Sequence, residues 1–296
     1  MEITQKATKP KRLFSGLDSL SRLASGLAAD TRENLHKRPA SHPSTDPGEF
    51  DSLVQIRIPS LEQVLARLRS IPEYSILIGA AQDGSPIMIN LSNSSAGSLL
   101  ILGDPASGKT KLMSSILASA CLINSPRRFR FGWITYQPGE LGWLGRQQHA
   151  YQVAAPYTDK TYQLVKELVD LLGQRRNGRQ SGPAVILAID GLDELIASLD
   201  DELLDLLLWL IANGPAYRIW TVATLDARRE NLVEPEVLEQ FGTWLVGFMA
   251  SLPTGDLFST PKYRKRIQSP DRLVAGAQFG VLAESDWVQF WVPNLH

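Results

Sequence analysis

The feature that most constrains this chain is an octapeptide, Gly103-Asp104-Pro105-Ala106-Ser107-Gly108-Lys109-Thr110, lying between the apolar run Ser98–Leu102 and a long helical stretch. The pattern G-x-x-x-x-G-K-[ST] is specific in that setting, because a strand, a glycine-rich turn and a helix start together build an anion site. Gly103 and Gly108 permit backbone angles that turn successive N–H groups toward a phosphate. Lys109 places a cation between the outer phosphates, and Thr110 offers its hydroxyl to Mg²⁺. The helix N-terminus adds its dipole to the same place. ATP and Mg²⁺ are therefore the expected ligands.

The rest of the chain supplies a matching frame. Short apolar strands alternate with longer helical stretches from Ser98 onward. Strands are predicted at Ser98–Leu102, Phe129–Tyr136, Tyr151–Ala154, Ala184–Ile189, Arg218–Ala223 and Trp244–Phe248. Helices are predicted from the phosphate loop to about Leu122, from Lys160 to Arg176 and from Asp201 to Ala212. Such alternation gives an α/β, three-layer fold, its central sheet mostly parallel and covered on both faces. A helix Leu61–Ile71 ending at Pro72 comes before it, then a β-hairpin around Asp83-Gly84, a strong turn signal. Phe279–Leu282 and Val288–Val292 read as a closing strand pair.

The first fifty residues read differently, which places the ATPase domain at 51–296 and a partly disordered tail at 1–50. Leu13, Leu17, Leu20, Leu23 and Leu27 form one helical stripe behind Lys9, Lys11 and Arg12, an amphipathic segment suited to a membrane surface or a partner protein. A linker rich in Pro and Ser follows, with Pro39, Pro43 and Pro47.

A second constellation is Val185-Ile186-Leu187-Ala188-Ile189-Asp190-Gly191-Leu192-Asp193-Glu194. An acid at the carboxyl end of a buried strand sits where open α/β sheets bind ligands, so Asp190 suits the outer shell of Mg²⁺. Asp193 or Glu194 is placed to orient or deprotonate an attacking water. Thr224, read as ending the next strand, is the expected polar sensor near the γ-phosphate, with Gln137 a weaker candidate. Two pairs, Arg228 with Arg229 and Arg175 with Arg176, are candidates for the arginine that phosphoryl-transfer sites borrow. Lys262, Arg264, Lys265, Arg266 and Arg272 form a basic patch able to meet a nucleic-acid backbone, Tyr263 being available to stack on bases.

Composition narrows the classes further. Net charge is −1 over 296 residues, so the whole molecule does not advertise a polyanion partner. The single Cys121 excludes an intramolecular disulfide, and His36, His42, His149 and His296 show no metal-ligand spacing. No apolar run reaches the roughly 18–20 residues of a membrane span, and the N-terminus lacks the continuous apolar core of a secretory signal. The expected location is the cytoplasm.

With these residues placed, the stretch from about Tyr74 to Pro293 resembles the motor domain of the FtsK/SpoIIIE group of FtsK–HerA ATPases. The segments "ILIGAAQDGSPIMINL", "SLLILGDPASGKTKLMSSIL", "FRFGWITYQPGELGWL", "VILAIDGLDELI", "RIWTVATLDA" and "FGVLAESDWVQFWVPNL" follow one another in the family's order. The resemblance implies a P-loop NTPase fold of RecA/FtsK-like type. It also implies ATP hydrolysis by a homo-oligomeric ring, a hexamer in the family, that pulls double-stranded DNA or, in secretion relatives, a polypeptide. Three positions depart from the family pattern. Gly191 stands where a glutamate usually follows the metal-binding aspartate, Leu225 replaces the glutamine of an "ATQ" sensor, and Trp244 occupies the place of an arginine. These departures define a second expectation, a nucleotide-dependent switch or scaffold subunit with slow or no hydrolysis. The run "DGLDEL" is also similar to NACHT-type signalling NTPases, which use acids three and four positions later.

Overall fold

The computed structural model describes residues 58–179, 181–269, 272–283 and 286–295, so the expected N-terminal tail, with its leucine stripe and linker, lies outside the described residues. In chain order the elements are α1 (Leu61–Leu65), β1 (Ser75–Ala80), β2 (Pro86–Asn90), β3 (Ser98–Gly103), α2 (Lys109–Ile123), β4 (Phe129–Ile134), β5 (Ala150–Ala154), α3 (Asp159–Arg176) and β6 (Ala184–Ile189). Then come α4 (Leu192–Ile196), α5 (Asp201–Asn213), β7 (Ile219–Asp226), α6 (Pro235–Glu239), β8 (Phe241–Val246), α7 (Asp256–Ser259), α8 (Pro261–Ile267), β9 (Gln278–Ala283) and β10 (Asp286–Trp291).

The strands form one sheet in the order β2-β1-β10-β9-β8-β3-β7-β6-β4-β5. From β8 to β5 neighbouring strands run parallel, and the pairs from β8 through β9, β10 and β1 to β2 run antiparallel. β7 and β6 therefore insert between β3 and its sequence successor β4. This order brings the carboxyl ends of β3, β7 and β6 side by side.

Alternation along β3 explains why both faces are covered. Leu99 and Ile101 pack with Leu112, Met113, Ile116 and Leu117 of α2 on one side. Leu100 and Leu102 pack with Leu164, Leu168 and Leu172 of α3 and Leu207 and Leu210 of α5 on the other. Each fully buried leucine contributes about 1.5–3 kcal/mol of transfer free energy. Local signals fix the helix starts. Ser60 and Gln63 form a reciprocal capping box on α1, and the Asp200 carboxylate accepts the Leu203 amide of α5 at 2.8 Å.

Several boundaries differ from the sequence expectation. α1 stops at Leu65, well short of Ile71, because Ala66 closes it and Arg67 turns away to donate to the Asp83 carbonyl at 2.8 Å. The hairpin turn is wider than a two-residue loop: Ala81 bonds Ser85 across it, and the Asp83 carboxylate accepts the Ser85 amide at 2.8 Å. β7 runs on to Asp226, so Thr224 lies inside the strand and does not end it. β8 starts earlier than expected, at Phe241.

Arg175 also departs from its expected role. It is 1% exposed. Its guanidinium donates to the carbonyls of Tyr217 at 2.8 Å, Arg218 at 3.1 Å and Pro183, tying the end of α3 to the amino ends of β6 and β7. Burial, then repulsion from Arg218, pulls its pKa down to about 10. A side chain so buried and so committed to three carbonyls is not free to be offered to a phosphate. Arg175→Met is expected to lower unfolding free energy by about 3 kcal/mol, since charge-assisted bonds to three carbonyls are lost. Urea denaturation checks this, and a loss below about 0.5 kcal/mol would contradict it.

Candidate functional site

The phosphate loop is held from three directions. Within it, the Ser107 amide donates to the Asp104 carbonyl at 3.1 Å. From one flank, the Asp104 amide donates to the Phe248 carbonyl at 2.9 Å, and the Ala250 amide donates to Asp104 Oδ2 at 2.8 Å. From the other flank, the Gly276 amide donates to the Ser107 carbonyl at 3.1 Å. Gly103 is required by close approach, since a Cβ there would stand 2.6 Å from Ser107 Oγ. Ala106 takes the left-handed conformation with φ 61° ahead of Gly108 at φ 93°, the backbone pattern of an anion-binding nest.

Lys109 folds back over this loop. Its Nζ donates to the carbonyls of Gly103 and Asp104, both at 2.8 Å. Burial lowers its pKa, while Asp226, Asp190, Asp104 and Asp193 pull the other way. Thr110, one residue on, donates to both Asp190 oxygens at 3.2 and 3.1 Å. Asp190 also accepts the Thr224 hydroxyl at 2.8 Å, and that hydroxyl oxygen accepts the Gly191 amide at 2.9 Å. One threonine thus locks the metal-side aspartate and the start of the following loop together. Side-chain oxygens from a hydroxyl and a carboxylate are the hard ligands that Mg²⁺ takes, and a nest of amides beside an ammonium group fits a polyphosphate.

Beyond Asp190 lies a cluster of charges. Arg229 Nε is 3.0 Å from Asp193 Oδ2, and Arg229 Nη1 donates to Glu194 Oε1 at 2.9 Å. Asp193 is 2% exposed. Burial raises its pKa against the opposing pull of Arg229, and the Asp193 charge in turn raises the pKa of Arg229. The Glu194 side chain is 40% exposed. Asp226, at the end of β7, is pushed up by burial. The Arg228 amide and guanidinium and the Lys109 charge outweigh that and hold it below the usual range. Tyr136, after β4, has its phenol pushed up by burial, by its bond to Tyr157 and by the charges of Glu194 and Asp193.

The structure brings Gly103 to Thr110, Asp190, Asp193, Glu194, Thr224 and Arg229 to one end of the sheet. It leaves Arg175 at the other. Gln137 is exposed, its backbone N–H donating to Thr135 Oγ1 at 3.1 Å. Tyr263 is not a stacking platform: it is 3% exposed, its hydroxyl donates to Glu239 Oε1 at 2.8 Å, and its ring stacks on Trp244 at 5.4 Å. Trp244 is buried with it and donates to the Phe241 carbonyl at 3.1 Å. Trp244 and Tyr263 thus form a buried aromatic plug. Sequence reasoning did not find the Asp104–Ala250 tie, the Gly276 contact or the pairing of Arg229 with both acids. All three join segments far apart in the chain, and no spacing announces them.

A buried parallel strand, a glycine-rich turn and a helix, facing an aspartate two strands away, define a P-loop nucleotide-binding fold with a mixed α/β sheet. Residues 67–245, more than half the chain, match the FtsK/SpoIIIE family. The chain belongs to that family. It is 28% identical over 188 residues to the ESX-5 secretion system protein EccC5 of Mycobacterium tuberculosis, an alignment covering 54% of this chain and 13% of EccC5. The chain thus spans about an eighth of the length of the curated relatives it matches. Its fold is similar to ATPases 2 and 3 of EssC from Geobacillus thermodenitrificans, with TM-score 0.61 and 15% identity, over 80% of this chain and 47% of that one. It is similar too to the pCW3 conjugation coupling protein TcpA in its monomer form with ATPγS, with TM-score 0.60 and 17% identity, over 81% of this chain and 70% of that one. Among the described residues no helix is long and apolar enough to cross a membrane.

Asp104→Ala removes the acceptor of the Ala250 amide and is expected to cost about 1–2 kcal/mol. Exchange of the Ala250 amide with deuterium should quicken by about tenfold. Unchanged exchange would show that the carboxylate does not hold this loop.

Proposed function

We propose that the chain is an ATPase module that binds ATP with Mg²⁺, hydrolyses it, and works with further copies in a ring on the cytoplasmic side, driving a polypeptide. The observation that carries the reading is the meeting of Thr110, Asp190 and Thr224 beside the Lys109 ammonium. Mg²⁺, when bound, would neutralise charge on the β- and γ-phosphates. The backbone amides from Ala106 to Thr110 would cradle the phosphates, and Thr110 and Asp190 would hold the cation. Lys109 would exchange two backbone carbonyls for phosphate oxygens. Thr224 would keep Asp190 oriented, and Asp193 or Glu194 would take the water's proton.

A polypeptide is favoured over double-stranded DNA on two grounds. The similarity to a secretion-system protein supports it. The buried Tyr263 removes the aromatic platform that would have accompanied the basic patch. Attachment to a membrane or a partner protein falls to the leucine stripe of residues 13–27.

A second reading, a switch or scaffold subunit with slow turnover, is favoured by Gly191 in place of an acid and by the Trp244 plug. Its NACHT-like form would place helices after the core, and β9 and β10, both in the main sheet, weigh against that. Lys109→Ala is expected to weaken binding of a fluorescent ATP analogue by about 100-fold or more, about 3 kcal/mol. Unchanged affinity would remove the site assignment. Steady-state turnover separates the two readings. Turnover raised by a polypeptide substrate and indifferent to duplex DNA supports the motor, DNA stimulation contradicts the polypeptide choice, and binding without turnover supports the switch.

A further inference from the structure

The position after the metal-side aspartate carries no side chain, yet the space beside it is filled. Gly191 has φ 94°, a left-handed conformation that a glutamate there would adopt only under strain. Glu194, three residues on in α4, folds its side chain back over this glycine, so that Oε2 lies 3.3 Å from where a Cβ would stand. Its other oxygen, Oε1, accepts Arg229 Nη1 at 2.9 Å. Arg229 is itself fixed by Asp193, whose Oδ2 is 3.0 Å from Nε. The Gly191 amide is fixed by Thr224, which also bonds Asp190.

The geometry points to Glu194 as the general base of hydrolysis, with Gly191 as its socket and Arg229 as the positioning residue that holds it there. The assignment rests on the ATPase reading above and decides between its two candidate acids. Asp193 is sealed, 2% exposed, so its carboxylate is closed to an incoming water. Glu194 is 40% exposed and keeps one oxygen directed at the backbone next to Asp190. An acid carried on the helix turn thereby stands in for the acid missing from position 191. Asp193 acts one step removed, by anchoring Arg229.

The reaction balances without any further reagent. A water oxygen attacks the γ-phosphorus of ATP as the bond from that phosphorus to the β–γ bridging oxygen breaks. The electron pair leaves with ADP, the water's proton passes to Glu194, and phosphate carries that proton away.

The test uses the full chain and measures nucleotide affinity beside turnover. Glu194→Gln, nearly isosteric, is expected to lower kcat by 10²–10⁴-fold, the range for a lost general base. The Kd for ATP should stay within about threefold, and the protein recovered from gel filtration after incubation with ATP should carry triphosphate where the wild type carries diphosphate. Arg229→Gln should lower kcat at constant Kd, and Arg229→Lys should restore part of that loss, because a charge near Oε1 returns without the fork. If Arg229→Gln fails to fold, Arg229→Lys alone, expected between wild type and Glu194→Gln, carries the positioning claim. Full turnover in Glu194→Gln overturns the assignment, as does a loss confined to Asp193→Asn. Wild-type protein that binds ATP and never hydrolyses it also overturns it, while leaving the nucleotide site standing. Wild-type protein that binds no nucleotide removes the ATPase reading itself.

Discussion

Thr224 is the residue on which the site depends. Its hydroxyl donates to Asp190 and accepts from the Gly191 amide, and it does so from a strand lying between the two that carry the phosphate loop and the aspartate. The parallel registers Ile101 with Thr224 and Ile189 with Ala223 set the heights of all three strand ends. A slip of one residue in β7 would turn Thr224 to the opposite face. The division of β7 between the two cores, Trp220 and Val222 in one and Ile219, Ala223 and Leu225 in the other, opposes that slip, so the packing of two cores fixes the geometry of one small polar site.

Charge around that site is arranged in opposition. Asp104, Asp190, Asp193 and Asp226 all bear on Lys109, and burial works against its charge. The ammonium is held by two backbone carbonyls, the positions a phosphate's oxygens would compete with. Arg229 offsets the remaining acids at the far side of Asp190. The site therefore keeps its shape through internal pairing, and an incoming polyanion would exchange partners with preset groups, which limits the ordering it must impose.

Much of this was legible in the sequence, for definite reasons. The octapeptide between an apolar strand and a helix announces its structure, because few chains meet those backbone demands together. Strands β3, β4 and β6 and helices α2, α3 and α5 carry strong periodicity and fell within a residue or two of expectation, apart from the end of β4. What escaped was long-range. Arg175 and Tyr263 carry surface-type side chains, and their burial depends on carbonyls and rings supplied by distant segments. Gly191 reads as a missing acid, and only the fold shows Glu194 lying over it. Short helices α6, α7 and α8 lie between strands without enough length to show a period.

The central claim is that the loop from Gly103 to Thr110 encloses a polyphosphate tail, and a crystal structure with Mg²⁺ and a non-hydrolysable ATP analogue tests it most directly. The expected result has the phosphates ringed by the amides of residues 106–110, Lys109 Nζ moved from the carbonyls of Gly103 and Asp104 onto phosphate oxygens, and the cation between Thr110 and Asp190. A structure in which Lys109 keeps both carbonyls and the analogue lies elsewhere, or is absent at saturating concentration, would contradict it.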